Sequence, residues 1–248
     1  MSATPSQKAT DILKQVSVAT LATALYKRGL RNQVIQGVRP VRSHHNMQAK
    51  QQPENMVGPA FTLRYMPARE DRNTLSEFQN PEHPQRQAIE QCPPGAILVM
   101  DSRKDPRAAS AGDILVTRLM MRGSAGIVTD GGFRDSDSIA ELDIPAYHAR
   151  PSSPTNLTLH EAIDINVPIG CGDVAVFPGD YLVGDNDSVI VIPAERVDEV
   201  ANEAYEMTAY EDFVAEQVRA GISIIGLYPC TKDEHRKAFA DWRQKNKR

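Results

Sequence analysis

The sequence predicts an α/β domain, and three observations carry that reading. Two continuous apolar runs, "AILVM" from Ala96 and "AGIVT" from Ala125, have the texture of strands covered on both faces. Between them, residues 115–121 read as a helix and stop at Gly123. Across residues 165–193 the text turns into short β-runs broken by Gly, Pro, Asp and Asn, which spells antiparallel hairpins or small barrel-like turns. A β-α-β-α order in the middle favours a layer of covered strands with helices packed on it.

Taken in order, residues 9–29 place apolar side chains at helical spacing and end in Lys27, Arg28 and Gly29, a helix C-terminus pattern. Ser17 and Thr20 are placed to cap a second helix within that span. A polar stretch, "RSHHNMQAKQQPENM", reads as a loop. "VGPAFTLRYMP" alternates and is rich in β-formers, predicting a strand over 57–65. A charged, proline-punctuated loop follows, then a short helix near 84–91 closed by Pro93, Pro94 and Gly95. After the two buried runs come a helix in "SDSIAELD" and a short strand in "PAYHAR". Residues 194–220 form a long acidic amphipathic helix, and the basic tail "KDEHRKAFADWRQKNKR" is helical.

The totals exclude several classes. A chain of 248 residues with 41% hydrophobic and 24% charged residues can bury a core. A net charge of −4 argues against an extended nucleic-acid footprint. Cys92, Cys171 and Cys230 are odd in number and lack zinc spacing, so they read as thiols in a reducing compartment. No run nears the ~20 apolar residues that span a bilayer, and no signal-peptide core appears, so the expected location is cytoplasmic, with no membrane. The glycines after Ile169 match neither a dinucleotide fingerprint nor a P-loop. His44-His45, His148 and His160 form no HxxxH or HExxH pair. There is no G-x-S-x-G elbow, and Lys104 is the one lysine between residues 51 and 231, which disfavours a Schiff base.

What remains is "GDILVTRLMMRGSAGIVTDGGFRD", which starts at Gly112. Arg134 and Asp135 follow a buried strand, at the kind of strand end where α/β proteins bind ligands. Asp135 is a hard oxygen ligand suited to Mg²⁺ or Mn²⁺. Arg134 offers a two-pronged fork for a carboxylate. The alternative is a surface ion pair in a turn. Gly131 and Gly132 permit close backbone approach to a ligand, or a positive φ. Asp113 reads as a helix N-cap; the first helical N–H groups, at Ile114 and Leu115, make an anion site by the same geometry. Asp113 lies 21 residues before Arg134, enough for one helix and one strand to return the chain to the same sheet edge. "GDNDS", from Gly184, reads as a hairpin turn.

This stretch resembles the central motif of the RraA-like family, whose catalytic members are 4-hydroxy-4-methyl-2-oxoglutarate aldolases. "VGPAFTLRY", "PPGAILVMDSR" and "VPIGCGDVAVFPGDYLVGDNDSVIVIP" extend the similarity over most of residues 17–200. The resemblance implies one domain over 1–248 with a layered α/β/β fold of the swivelling phosphohistidine-domain type, a core near 17–200 and a helical extension over 201–248. It implies a metal-dependent class II lyase that releases pyruvate from a small 2-keto acid, often decarboxylating oxaloacetate as well. Asp135 would then bind Mg²⁺ or Mn²⁺, Arg134 the pyruvate carboxylate, and Asp113 a reactive water. Gly112, Ile114 and Leu115 would line the substrate, the last two through their amides. Trimers or hexamers with the site at a subunit interface are implied too, with Glu203, Glu206 or Glu211 as candidates to reach a neighbour's site.

Two departures stand out. Ser138 occupies the place where catalytic members carry an acid, with Asp137 one position earlier. The segment "YMPAREDRNTLSEFQNPEHPQRQAIE" is long and is expected to reshape the pocket. Two alternatives stay open: a non-enzymatic regulator that binds an RNA-degrading endonuclease, and a metal-dependent dehydratase or hydrolase of a sugar-derived 2-keto acid.

Overall fold

The computed structural model describes residues 4–42 and 54–248. Most of the polar stretch read as a loop, and the pair His44-His45, lie outside the described residues. The fold is a mixed α/β single domain.

The N-terminal helical text divides as its capping residues imply. Helix α1 (Gln7–Leu13) starts at Ser6, and α2 (Val18–Lys27) at Ser17, whose side chain accepts from the Thr20 N–H. The apolar faces of both meet α6 (Val197–Arg219), and Leu13, Leu21, Leu25, Val200 and Ala204 are fully buried there. Helix α7 (Asp233–Asn246) rests on the far end of α6 through a separate aromatic cluster of Tyr210, Phe213, Phe239 and Trp242. Among the described residues no helix is long and apolar enough to cross a membrane.

The principal sheet contains β1 (Arg39–Pro40), β2 (Met56–Pro67), β3 (Ile97–Asp101), β5 (Gly126–Thr129), β7 (Ala146–His148), β9 (His160–Ile165), β12 (Tyr181–Gly184) and β13 (Val189–Ile192). Its order is β1-β7-β5-β3-β2-β12-β13, with β9 also paired to β2. The β2-β3-β5-β7 run is parallel, and antiparallel partners flank it. Successive residues of β3 face opposite ways. Leu98 and Met100 pack under α3 (Pro84–Gln91), α4 (Asp113–Met121) and α5 (Ser136–Ala140). Ile97 and Val99 pack on the other face, against the hairpin of β10 (Ile169–Cys171) and β11 (Val174–Val176). Covering both faces is why the run is continuously apolar rather than alternating.

"GDNDS" is the β12-β13 turn: Asp185 accepts from the N–H groups of Asp187 (2.9 Å) and Ser188 (3.1 Å). Strand β9, and a second small sheet described below, were not anticipated from the sequence. Both consist of two- to six-residue pieces whose pairing is long-range, and period-2 patterning is weak over such lengths.

Candidate active site

The two halves of the motif are brought together by a three-stranded parallel sheet of β4 (Ala109–Ala111), β6 (Gly132–Phe133) and β8 (Arg150–Pro151). Ala111 pairs with Phe133, and the Arg134 N–H donates to the Ala111 carbonyl at 3.0 Å. The next residues along, Gly112 and Arg134, are therefore neighbours. Phe133 is fully buried and stacks on His148 with ring centroids 5.5 Å apart, which anchors the strand end that carries the arginine.

Gly131 and Gly132 serve this packing. Neither has a positive φ, and an added Cβ would meet Ser102 Cβ at 2.6 Å from Gly131 and Ser152 Cβ at 2.6 Å from Gly132. Their role is close strand packing, in place of the ligand approach or left-handed turn offered by the sequence reading. Behind them, the hydroxyls of Ser102, Ser110 and Thr129 bond one another at 2.6 to 3.1 Å. Asp130 accepts from the N–H groups of Ser102 (2.6 Å), Gly172 (3.0 Å) and Lys104 (3.1 Å), tying three loops together. Burial pushes its carboxyl above the usual range, and those donors oppose the shift.

At the cleft, Arg134 Nε lies 3.3 Å from Asp135 Oδ2, with both side chains about half exposed. Asp135 adopts a left-handed backbone (φ 55°, ψ 39°) at the N-cap of α5 and makes no capping bond. Aspartate tolerates that region better than most residues. Its carboxylate is therefore not used as a cap for the helix it precedes, and Oδ2 contacts Arg134 instead. Gly112 faces the pair directly: a Cβ there would sit 2.8 Å from Arg134 Cγ and 3.1 Å from Asp135 Oδ2.

Asp113 differs from its expected place. Gly112 is the N-cap of α4, and Asp113 is the first helical residue, its Oδ1 accepting from the Ile114 N–H at 2.8 Å. One of the two amides expected to cradle a carboxylate is thus held by Asp113. The Leu115 N–H has no partner among the described residues. Asp137 and Ser138 are exposed on α5 and do not line the cleft. Glu203, Glu206 and Glu211 are engaged within the chain. Glu203 pairs with Lys27 and Arg28, Glu206 with Arg243, and Glu211 accepts from Thr20.

The cleft has a volume of about 250 Å³, and its lining includes Gly112, Asp113, Ile114, Leu115, Arg134 and Asp135. Phe78, Gln85 and Arg86, from the long segment expected to reshape the pocket, line it as well, with Thr155 and Asn156. Gln85 is fixed by donating to the Ser110 carbonyl at 2.6 Å. Sequence reading passed over Arg86 and Gln85, since "HPQRQAIE" looks like an ordinary proline-started helix.

Among the described residues no cluster of three or more His, Cys, Asp or Glu could hold a metal ion. The donor set in the cleft nevertheless fits Mg²⁺ or Mn²⁺, which keep several waters and are commonly held by one or two carboxylates plus substrate oxygens. Asp135 is such a carboxylate, uncapped and half exposed, with Asp113 on the same wall. Softer or all-protein coordination would need ligands that this wall lacks.

A family model described as "RraA-like: Aldolase/RraA" matches residues 18–191. A protein of Halalkalibacterium halodurans, provisionally named a 4-hydroxy-4-methyl-2-oxoglutarate aldolase, is 32% identical over 141 residues, covering 57% of this chain and 67% of that one. One from Ectopseudomonas mendocina with the same provisional name is 39% identical over 99 residues, 40% of this chain and 60% of its own length. Among solved structures, Streptomyces coelicolor RraAS2 superposes with a TM-score of 0.72 at 27% identity, over 85% of this chain and 97% of that one. It is described as an unusual member of the RNase ES inhibitor RraA protein family.

Proposed function

Because this chain belongs to the RraA-like family, we propose that it is a divalent-metal-dependent carbon–carbon lyase acting on a pyruvate-derived 2-keto acid. The reaction is retro-aldol cleavage of a 4-hydroxy-2-keto acid, oxaloacetate decarboxylation, or both. The observation that carries this reading is the β4-β6 pairing, which sets Gly112-Asp113 against Arg134-Asp135 at one cleft. Names shared by the relatives support a lyase at the level of the family.

In this reading Asp135 would hold the cation, which would supply Lewis-acid charge to the keto-acid group when bound. Arg134 engages the substrate carboxylate through its terminal nitrogens, while its Nε stays on Asp135. The Leu115 N–H adds a second donor to that carboxylate. Asp113 uses its free Oδ2 to hold a water that takes the proton from the C4 hydroxyl. The C3–C4 bond then breaks, C4 becomes a carbonyl, and the electron pair moves into a three-carbon enolate facing Arg134. Returning the proton to C3 gives pyruvate. The α/β/β layering of the swivelling type and a trimeric or hexameric assembly belong to the same reading. The Ile114 side chain, 78% exposed at the cleft wall, offers an apolar surface for a neighbouring subunit.

The test is a panel of 4-hydroxy-2-keto acids and oxaloacetate, assayed for pyruvate with Mg²⁺, with Mn²⁺ and with EDTA. Pyruvate release abolished by EDTA supports the lyase. Turnover that persists without metal removes the mechanism. Inertness across the panel favours the endonuclease-regulator reading instead.

A further inference from the structure

The cleft is lined by a second cation that the reaction above leaves without a task. Arg86, on the first turns of α3, lines the same cleft as Arg134 and Asp135. Arg134 has Asp135 as its partner, and Asp113 is bonded to the Ile114 N–H. The Arg86 side chain forms no ion pair and no hydrogen bond among the described residues, and its Nε is buried without an acceptor. An unpaired guanidinium of this kind is costly to keep unless something else satisfies it.

The side chain is also held in place. Its guanidinium carbon lies 5.0 Å from the centroid of Phe78, itself a lining residue, so one face of the group rests on an aromatic ring. Phe78 in turn meets His83 edge-on at 5.6 Å. Burial and the neighbouring Arg86 charge keep His83 below its ordinary pKa, so it adds no second cation near neutral pH. Glu77 and Glu161 act on His83 through their charge, and among the described residues neither forms an ion pair with Arg86. Stacking leaves the planar edge of the guanidinium to bind in its own plane, the geometry that suits a carboxylate.

We infer that Arg86, braced by Phe78, is a specificity-determining residue that binds a second carboxylate, carried on the part of the substrate that leaves as the carbonyl fragment. This rests on the lyase reading only for which end of the substrate is meant; recognition of a dianion over a monoanion stands apart from it. The cleft thus selects keto acids charged at both ends, with Arg134 on the 2-keto-acid end and Arg86 on the other.

Two non-cleavable probes matched in chain length test this: 2-oxoglutarate and 2-oxopentanoate, which lacks the terminal carboxylate. Binding to the full chain is measured by calorimetry, with Mg²⁺ and again with EDTA. The parent should prefer 2-oxoglutarate by about tenfold or more, the effect of one charge-assisted hydrogen-bonded pair. Arg86→Gln should erase that preference and leave 2-oxopentanoate binding unchanged, and Arg86→Lys should retain part of it. Equal binding of the two acids by the parent, binding of neither, or an undiminished preference in Arg86→Gln would overturn the inference. Should Arg86→Gln fold poorly, shown by its melting curve, the Arg86→Lys comparison decides on the same criteria. Pyruvate release that ignores Arg86→Gln for singly and doubly charged 4-hydroxy-2-keto acids alike also overturns it while sparing the lyase. An Arg86-dependent binding preference without pyruvate release does the reverse.

Discussion

Replacing Gly112 with alanine is the sharpest probe of the site, because a single methyl group acts on both partners of the Arg134-Asp135 pair. The new Cβ would lie 2.8 Å from Arg134 Cγ, 3.1 Å from Arg134 Cδ and 3.1 Å from Asp135 Oδ2. Carbon atoms in contact settle at about 3.5–4.0 Å, so the arginine must retreat by roughly 0.7 Å or more. A displacement approaching 1 Å at a reacting group can cost on the order of 10²-fold in rate. Folding should change little. Gly112 has φ −126°, which alanine adopts freely, and the loss as an N-cap is about 1 kcal/mol. For a chain of this size that lowers Tm by about 2–4 °C. The expected result of Gly112→Ala is a kcat/KM for pyruvate release down by about 100-fold with a nearly parental melting curve. Parental kcat/KM at that Tm would refute the placement of the chemistry beside Gly112. A fall in Tm of more than about 10 °C would refute the claim that the perturbation is local.

Other expectations address the metal, the fork, the core and pH. Asp135→Ala should abolish metal-stimulated pyruvate release and weaken Mn²⁺ binding followed by electron paramagnetic resonance; unchanged Mn²⁺ affinity would remove Asp135 as the ligand. Arg134→Lys keeps the charge but loses the fork, so KM for the keto acid should rise by about tenfold or more, and an unaltered KM would count against carboxylate binding there. Phe133→Ala empties a fully buried site and should cost about 3–5 kcal/mol in urea unfolding; a loss below about 1 kcal/mol would contradict the packing that anchors Arg134. His148 is buried, and its pKa is lowered to about 4. The unfolded chain therefore binds more protons between about pH 6.5 and 4, so stability should fall as pH drops through that window, by about 3 kcal/mol at its lower end. His83 and His160, also lowered by burial, act in the same direction, and Asp130, raised by burial, opposes them at the acidic end. Urea midpoints at pH 7 and pH 4.5 for the parent and His148→Asn test this: a flat parent, or a variant with the parent's full pH dependence, would sink it.

Much was legible in the sequence because the signals were local. The capping serines of the first two helices, the unbroken apolar runs of β3 and β5, and the Asp185 turn each state their structure within a few residues. The Gly-Asp and Arg-Asp pairs could be picked out as candidates for the site by their residue types and their position at a strand end. Their convergence was plausible from the 21-residue spacing, and it was realised by a pairing of three- and two-residue strands too short to leave a pattern.

Tertiary structure decided what depends on distant neighbours. Asp113 moved from N-cap to the first helical position because Gly112, which must be small to clear Arg134, takes the cap. Gly131 and Gly132 proved to be packing residues because Ser102 and Ser152, far away in sequence, leave no room for a Cβ. Arg86 shows the division most clearly: an arginine on a helix is unremarkable in sequence, since its meaning lies in which charges fail to reach it. The sequence by itself determined the layered α/β text and the inventory of charged groups, because periodicity and residue chemistry are local properties. Only the fold decided which of those charges are paired and which face the cleft, because pairing is settled by through-space distance.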